Sequence, residues 1–61
     1  MTDDLIVAER AALTRFERAR SAGAGERTAL NLAAWAWIEH RPADSLPYAL
    51  KEVSRIVQRE N

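Results

Sequence analysis

Apolar residues recur along this chain at helical spacing, in three stretches separated by two short windows. The windows, SAGAGER and HRPADSLP, contain both glycines and both prolines, the residues that interrupt helices most strongly. The pattern predicts an all-α fold, either a small three-helix bundle or a helical hairpin plus a helix. The predicted helices cover about residues 3–22, 26–40 and 45–60 of a single domain, residues 1–61.

The ends of the predicted helices carry residues typical of helix caps. Thr2 is placed to accept hydrogen bonds from the free N–H groups that begin the first helix. Gly23 is placed to end that helix, because glycine readily adopts the left-handed conformation found after many helix ends. Either Asp44 or Ser45 is placed to cap the third helix.

The first and third helices each carry one apolar stripe, which indicates one buried face. On the third helix the stripe is Leu46, Leu50, Val53 and Val57. On the first helix it is Leu5, Ala12, Leu13, Phe16 and Ala19, with Ile6 at its edge. Glu9 falls within this second stripe, and its carboxylate either reaches water at the margin or is buried against a partner. The candidate partners are Arg27, Arg55 and Tyr48.

The second helix differs because it is apolar on two opposite faces. A helix turns by about 100° per residue, so Trp35 and Trp37 point about 200° apart. The predicted core face consists of Leu30, Ala34, Trp37 and Ile38. The predicted partner-binding face consists of Leu32, Trp35 and Ala36, flanked by Thr28 and Glu39. Only two other helices are available to cover the second one, so we expect another molecule to cover the face that contains Trp35. The alternative is a three-helix bundle without a partner, in which the first helix and the loop at residues 41–47 partly cover Trp35.

Length and composition favour the same interpretation. A chain of 61 residues buries only about 60% of the surface that its unfolded form exposes, so its own core provides marginal stability. The chain has no cysteine, which excludes disulfides, and its single histidine, His40, does not make a zinc site without several carboxylates nearby. We therefore expect no metal and no cofactor, and stabilisation by a homodimer, a higher oligomer or a larger protein partner.

Charge and terminal sequence limit the location and the partners. Nine basic and nine acidic residues balance, so the overall field does not steer the chain toward nucleic acid or anionic lipid. The start, MTDDLIVAERA, is acidic and only briefly apolar, which predicts neither a signal peptide nor a membrane span. We expect a cytoplasmic protein without a membrane partner, and the richness in arginine and alanine suggests a bacterial, phage or plasmid source.

The residues give little support for catalysis. His40 and Glu39 are neighbours in sequence and do not face each other on a helix. No serine or threonine stands in a recognisable nucleophile motif. The position of His40 near a helix end is explained by a favourable contact with the helix dipole. We therefore expect a protein that is not an enzyme.

Two features favour an alternative function in nucleic-acid binding. A basic row recurs every four residues on the third helix beside an aromatic ring, as phosphate contacts and base stacking require. The row consists of Lys51, Arg55 and Arg59, with Tyr48 beside it. Glu52 and Glu60 interrupt the row, as on an ordinary solvated face.

The second feature is a short resemblance. The stretch ERTALNLA, residues 26–33, followed by Trp35, resembles the first-helix sequence of the repressor-of-primer family, small plasmid proteins that dimerise as four-helix bundles and bind RNA hairpin pairs. The resemblance implies RNA contacts at Asn31 and Trp35. It departs from the family because this helix is the second of three and because Ala36 and Trp37 do not continue the pattern.

These observations predict a small, non-enzymatic helical interaction or regulatory protein. It is expected to act by homo-oligomerisation, or by docking on a partner protein, through the apolar face of the second helix that contains Trp35. The alternative is a small DNA-binding or RNA-binding regulator that uses the basic row of the third helix.

Overall fold

Three α-helices joined by two short loops make up the structure, a computed structural model that describes residues 3–60. They are α1 (Asp4–Ser21), α2 (Glu26–His40) and α3 (Leu46–Glu60). The predicted all-α fold of three helices is confirmed, and each boundary lies within one residue of the predicted one. Within the described part of the chain, no helix combines the length and apolar character needed to cross a membrane.

Side-chain oxygens cap the starts of α1 and α3. The Asp3 carboxylate accepts a hydrogen bond of 2.9 Å from the backbone N–H of Leu5. Asp3 thus has the capping role predicted for Thr2, which lies outside the described residues. At α3 the Ser45 hydroxyl accepts a hydrogen bond of 3.3 Å from the backbone N–H of Tyr48. Ser45 is therefore the cap of α3, because its oxygen satisfies one of the free N–H groups of the first turn.

α1 ends in a glycine turn, as predicted. Gly23 has a φ angle of +98°, in the left-handed region. Its N–H donates to the Arg20 carbonyl at 3.0 Å, and the N–H of Ala24 donates to the Ala19 carbonyl at 2.9 Å. This pair of bonds defines a Schellman motif, which satisfies two carbonyls at the helix end. Any side chain with a Cβ is strained at this position.

We expect Gly23→Ala to lower the free energy of unfolding by about 1–2 kcal/mol, because an alanine here must adopt the left-handed conformation. Crowding does not contribute, since a Cβ at this position has no neighbour within 4 Å. The measurement is the urea midpoint followed by circular dichroism. Gly23→Asn is the control and should lose less, because asparagine tolerates this conformation better. An alanine variant as stable as wild type would contradict the assignment of Gly23 to the left-handed position of this motif.

Small side chains line the contact between α1 and α2, the most extensive of the helix contacts. The buried alanines of the two helices are Ala8, Ala12 and Ala19 of α1 and Ala29, Ala33, Ala34 and Ala36 of α2. The distance between packed helices depends on the side chains at the contact, so alanines allow a close approach. Alanine also has no side-chain entropy to lose on burial.

The core is built around Trp37, which with Val53 is one of the largest fully buried side chains. Ala49 and Ile56 extend the buried stripe predicted for α3. Six larger side chains are partly buried against this cluster: Leu13, Phe16, Leu30, Ile38, Leu46 and Leu50. The radius of gyration is 10.6 Å, close to the value of about 10.5 Å typical of a folded domain of this length.

Three predictions for α1 have different outcomes. Leu5, predicted on the buried stripe, is 37% exposed because it lies in the first turn, before the buried part of the stripe begins at Ala8. Ile6, predicted at the edge, is 54% exposed. Glu9 is half-buried, which favours the alternative in which its carboxylate lies at the margin of the stripe over the buried one. Among residues 3–60, no polar or charged side chain is buried.

Candidate interaction surface

Four residues of α2 form a line that faces away from the core, and we call this line the outer seam. Its members are Thr28, Leu32, Trp35 and Glu39, at successive spacings of four, three and four. These positions lie within about 60° of one another around the helix. Trp35 is 55% exposed and Leu32 is 38% exposed, whereas Trp37 is fully buried. The two tryptophans therefore lie on opposite sides of α2, as their spacing predicts.

Two neighbours of Trp35 differ in exposure. Ala36, predicted as part of the partner-binding face, is only 2% exposed. It points about 100° away from Trp35 and is buried at the contact with α1, so it does not belong to the outer seam. Asn31 lies one turn before Trp35 and is exposed beside it. The prediction for Ala36 is corrected, and the other four residues predicted for this face are all exposed.

The contacts of Trp37 determine which side of α2 faces outward. Its indole N–H donates a hydrogen bond of 2.9 Å to the Asp44 carboxylate. Its ring packs edge-on against Tyr48, with ring centroids 6.5 Å apart and planes at 69°. A buried indole N–H requires an acceptor, so these contacts favour one rotation of the helix about its axis. That rotation leaves Trp35 at the surface.

Asp44 connects the core tryptophan to the loop between α2 and α3. The same carboxylate oxygen, Oδ2, accepts a hydrogen bond of 2.8 Å from Nε of Arg41. Hydrogen bonds from Trp37 and then Arg41 hold the pKa of Asp44 below its usual value. The hydrogen bond to Asp44 and its negative charge raise the pKa of Arg41. From the sequence, Asp44 is predicted only as a possible cap of the third helix, although a tryptophan on the core face followed by an acidic residue in the next loop could have indicated this hydrogen bond.

We expect the stability of the chain to decrease in acid partly because of Asp44. Its pKa is lower in the folded state, so its contribution is present above the unfolded value of about 3.9 and is lost as the pH falls through the folded value. In Asp44→Asn the amide oxygen still accepts from the indole but does not titrate.

The measurement is the urea midpoint between about pH 2.5 and pH 7, a range that spans carboxylate titration. Wild type should lose stability below about pH 4 more steeply than Asp44→Asn. Glu17→Gln controls for the loss of an exposed carboxylate. Identical pH profiles for wild type and Asp44→Asn would contradict the role given to this hydrogen-bond pair.

An open groove between α1 and α2 lies beside the outer seam and is rich in arginine. Arg10, Thr14 and Arg18 recur every four residues along α1 and line the groove together with Arg15. Glu39 of the outer seam lines its other side. Neither of the ion pairs found in residues 3–60 involves these arginines. Their guanidinium groups are therefore available to carboxylates of another molecule.

The residues predicted for nucleic-acid binding lie on two helices. Tyr48, Lys51, Arg55 and Arg59 are all exposed along one side of α3, as their spacing predicts. The Nη1 atom of Arg55 lies 4.0 Å from the carboxylate of Glu52, a weak and solvated pair. The remaining candidate, Asn31, lies on α2 beside the outer seam and does not belong to the basic row.

His40 is exposed in the last turn of α2, where a cation interacts favourably with the helix dipole. In the part of the chain that the structure describes, no three His, Cys, Asp or Glu side chains come together as metal ligands. Comparison of the chain with known protein families, curated proteins and solved structures gives no significant match. The function is therefore inferred from the geometry of these surfaces.

Proposed function

We propose that this chain is a non-enzymatic interaction protein that associates with a second copy of itself, or with a larger protein, through the outer seam of α2. The observation that carries the proposal is the exposure of Trp35, 55%, directly beside exposed Leu32. Tryptophan is among the residues that contribute most to binding at protein interfaces. A single exposed leucine is common on protein surfaces. Here two apolar residues lie at the centre of the outer seam and polar residues lie at both of its ends, and protein interfaces likewise have an apolar centre and a polar rim.

The position of α2 in the bundle supports the proposal. Both α1 and α3 pack against α2, and the buried residues of α2 include no member of the outer seam. The chain therefore uses one side of α2 for its own core and leaves the other side for a partner. Binding a partner also stabilises the folded state by mass action, which matters for a chain with a small core.

The experiment that tests the proposal measures the exposure of Trp35 directly. In Trp37→Phe, Trp35 is the only tryptophan, so all indole fluorescence reports on the outer seam. Circular dichroism first establishes that this variant is folded. We expect acrylamide to quench Trp35 strongly in dilute solution and weakly in concentrated solution, with a blue-shifted emission. Equal quenching at all concentrations would show that self-association does not cover the outer seam.

The exposed basic row of α3 supports a second candidate function, a DNA-binding or RNA-binding regulator. Three cations on one side of a helix, with a half-exposed Tyr48 beside them, provide phosphate contacts and a stacking platform. A dimer would present the row twice and strengthen such binding. The balanced net charge of the chain weighs against this candidate.

For this second candidate, we expect retention on a duplex DNA or an RNA hairpin pair to decrease steeply with salt. Replacing Lys51, Arg55 and Arg59 together by alanine should abolish retention, because these side chains neutralise the phosphates. Replacing Arg10, Arg15 and Arg20 together by alanine removes as many charges from α1, away from the basic row, and is the control. No retention of wild type at about 50 mM salt on either nucleic acid would exclude this function.

A further inference from the structure

We infer that the molecule covering the outer seam is a second copy of this chain, bound with the two α2 helices antiparallel about a two-fold axis. The inference rests on the proposed function and names the partner and its orientation. A two-fold interface uses the same surface on both copies, so that surface must be complementary to itself. Three properties of the outer seam meet this requirement: its spacing, its side-chain sizes and its charges.

The spacing of the outer seam is unchanged when the helix is turned end for end. Four residues at intervals of four, three and four read the same in both directions. In one antiparallel register Leu32 of each copy faces Trp35 of the partner subunit, and Thr28 of each copy faces Glu39 of the partner subunit. Intervals of four and three are those that bring side chains of two helices into common layers.

Side-chain sizes favour the antiparallel over the parallel arrangement. In the antiparallel pair both apolar layers contain one leucine and one tryptophan, so the helices are separated equally along the contact. In a parallel pair Trp35 would face Trp35 of the partner subunit, and Leu32 would face Leu32 of the partner subunit. The tryptophan layer would then be much wider than the leucine layer, which leaves unfilled space between the two leucines.

Charges favour the same orientation. A parallel pair places Glu39 against Glu39 of the partner subunit, and facing like charges are repulsive. The antiparallel pair places Glu39 against the hydroxyl of the partner's Thr28, which can donate a hydrogen bond to the carboxylate. The polar ends of the outer seam are therefore complementary only when the helices run in opposite directions.

Arg18 provides a second partner for Glu39 in the antiparallel pair. Arg18 lies near the end of α1 and Thr28 near the start of α2, each within about one helical turn of the connecting loop. Arg18 lines the α1 side of the groove, opposite the side on which Glu39 of its own chain lies, and it takes part in neither ion pair found in residues 3–60. The antiparallel arrangement thus brings Glu39 to Arg18 of the partner subunit, twice by symmetry.

The test reverses these charges one at a time and then combines the variants. Arg18→Glu alone and Glu39→Arg alone should each raise the dimer dissociation constant on the order of tenfold, because two attractive pairs become repulsive. An equimolar mixture of the two variants should regain wild-type affinity, since each charge then meets its opposite. Arg59→Glu on α3 is the control for changed net charge and should dimerise as wild type does.

Chemical cross-linking gives a second measurement that does not depend on Arg18. The chain has no cysteine, so Thr28→Cys and Glu39→Cys each introduce one thiol. In a mixture of these variants, a short bismaleimide should produce mainly the mixed cross-link between position 28 and position 39.

The outcomes of these two experiments distinguish the inference from the proposed function. Wild type that dimerises, with an unrestored mixture or with cross-links mainly between identical positions, would overturn the antiparallel arrangement and leave the proposed function standing. Wild type that stays monomeric at all concentrations would overturn the inference together with self-association through the outer seam. Restoration in the mixture with a dominant mixed cross-link would support both.

Discussion

Trp37→Ala is expected to lower the free energy of unfolding by about 3–5 kcal/mol, the usual cost of removing a fully buried tryptophan from a core. Trp37 is completely buried, and the cluster around it includes Val53 and residues of all three helices. The total stability of a 61-residue domain is on the order of 3–9 kcal/mol. The loss is a large fraction of this total, so the urea midpoint of the variant should fall steeply, to the point of unfolding without urea if wild type lies in the lower half of this range.

The measurement is urea unfolding followed by circular dichroism, in dilute solution where association does not contribute. Trp37→Phe retains a ring in the core but removes the hydrogen bond to Asp44, so it should lose less stability than Trp37→Ala. Trp35→Ala is the matched control, because truncating an exposed side chain usually changes stability by less than about 0.5 kcal/mol. Equal losses for the two tryptophan-to-alanine variants would contradict the assignment of Trp37 to the core and Trp35 to the surface.

Trp35→Ala is expected instead to weaken self-association, by at least about 2 kcal/mol, or about 30-fold in the dissociation constant. Trp35 is the largest exposed side chain of the outer seam, and a two-fold dimer loses it twice. The far-ultraviolet circular dichroism of the variant should remain that of wild type, because the side chain does not contribute to the core.

Sedimentation equilibrium of wild type and Trp35→Ala measures this difference. Ile6→Ala is the matched control, since Ile6 is 54% exposed on α1 and lies outside the outer seam. It should leave the dissociation constant unchanged. If Ile6→Ala weakens association as much as Trp35→Ala does, the contact surface is on α1 or is nonspecific.

The helices and the orientation of the two tryptophans could be predicted from the sequence because both depend on local geometry. Glycines and prolines confined to two windows determine where the helices end. A separation of two residues on a helix places Trp35 and Trp37 on opposite sides whatever the tertiary structure is. The side of the second helix that contains Trp37 also has more large apolar residues, Leu30 and Ile38, and it was predicted as the core face.

The role of Ala36 could not be predicted, because α2 has alanines on several sides. Hydrophobic periodicity does not show which alanines the neighbouring helix covers: Ala36 is buried in the groove beside residues of α1, whereas Leu32 is 38% exposed. The role of Asp44 depends on the path of the loop after α2, which returns the carboxylate to an indole seven residues earlier in the chain. Neither contact follows from local spacing, since both are set by tertiary packing.

The mass of wild type by light scattering, measured from dilute to concentrated solution, tests most directly whether the outer seam is an interface. We expect the mass to rise from that of a single 6.9 kDa chain to about twice that value, and to remain at the single-chain mass for Trp35→Ala over the same range. Wild type that keeps the single-chain mass throughout, or Trp35→Ala that dimerises as wild type does, would contradict self-association through this surface.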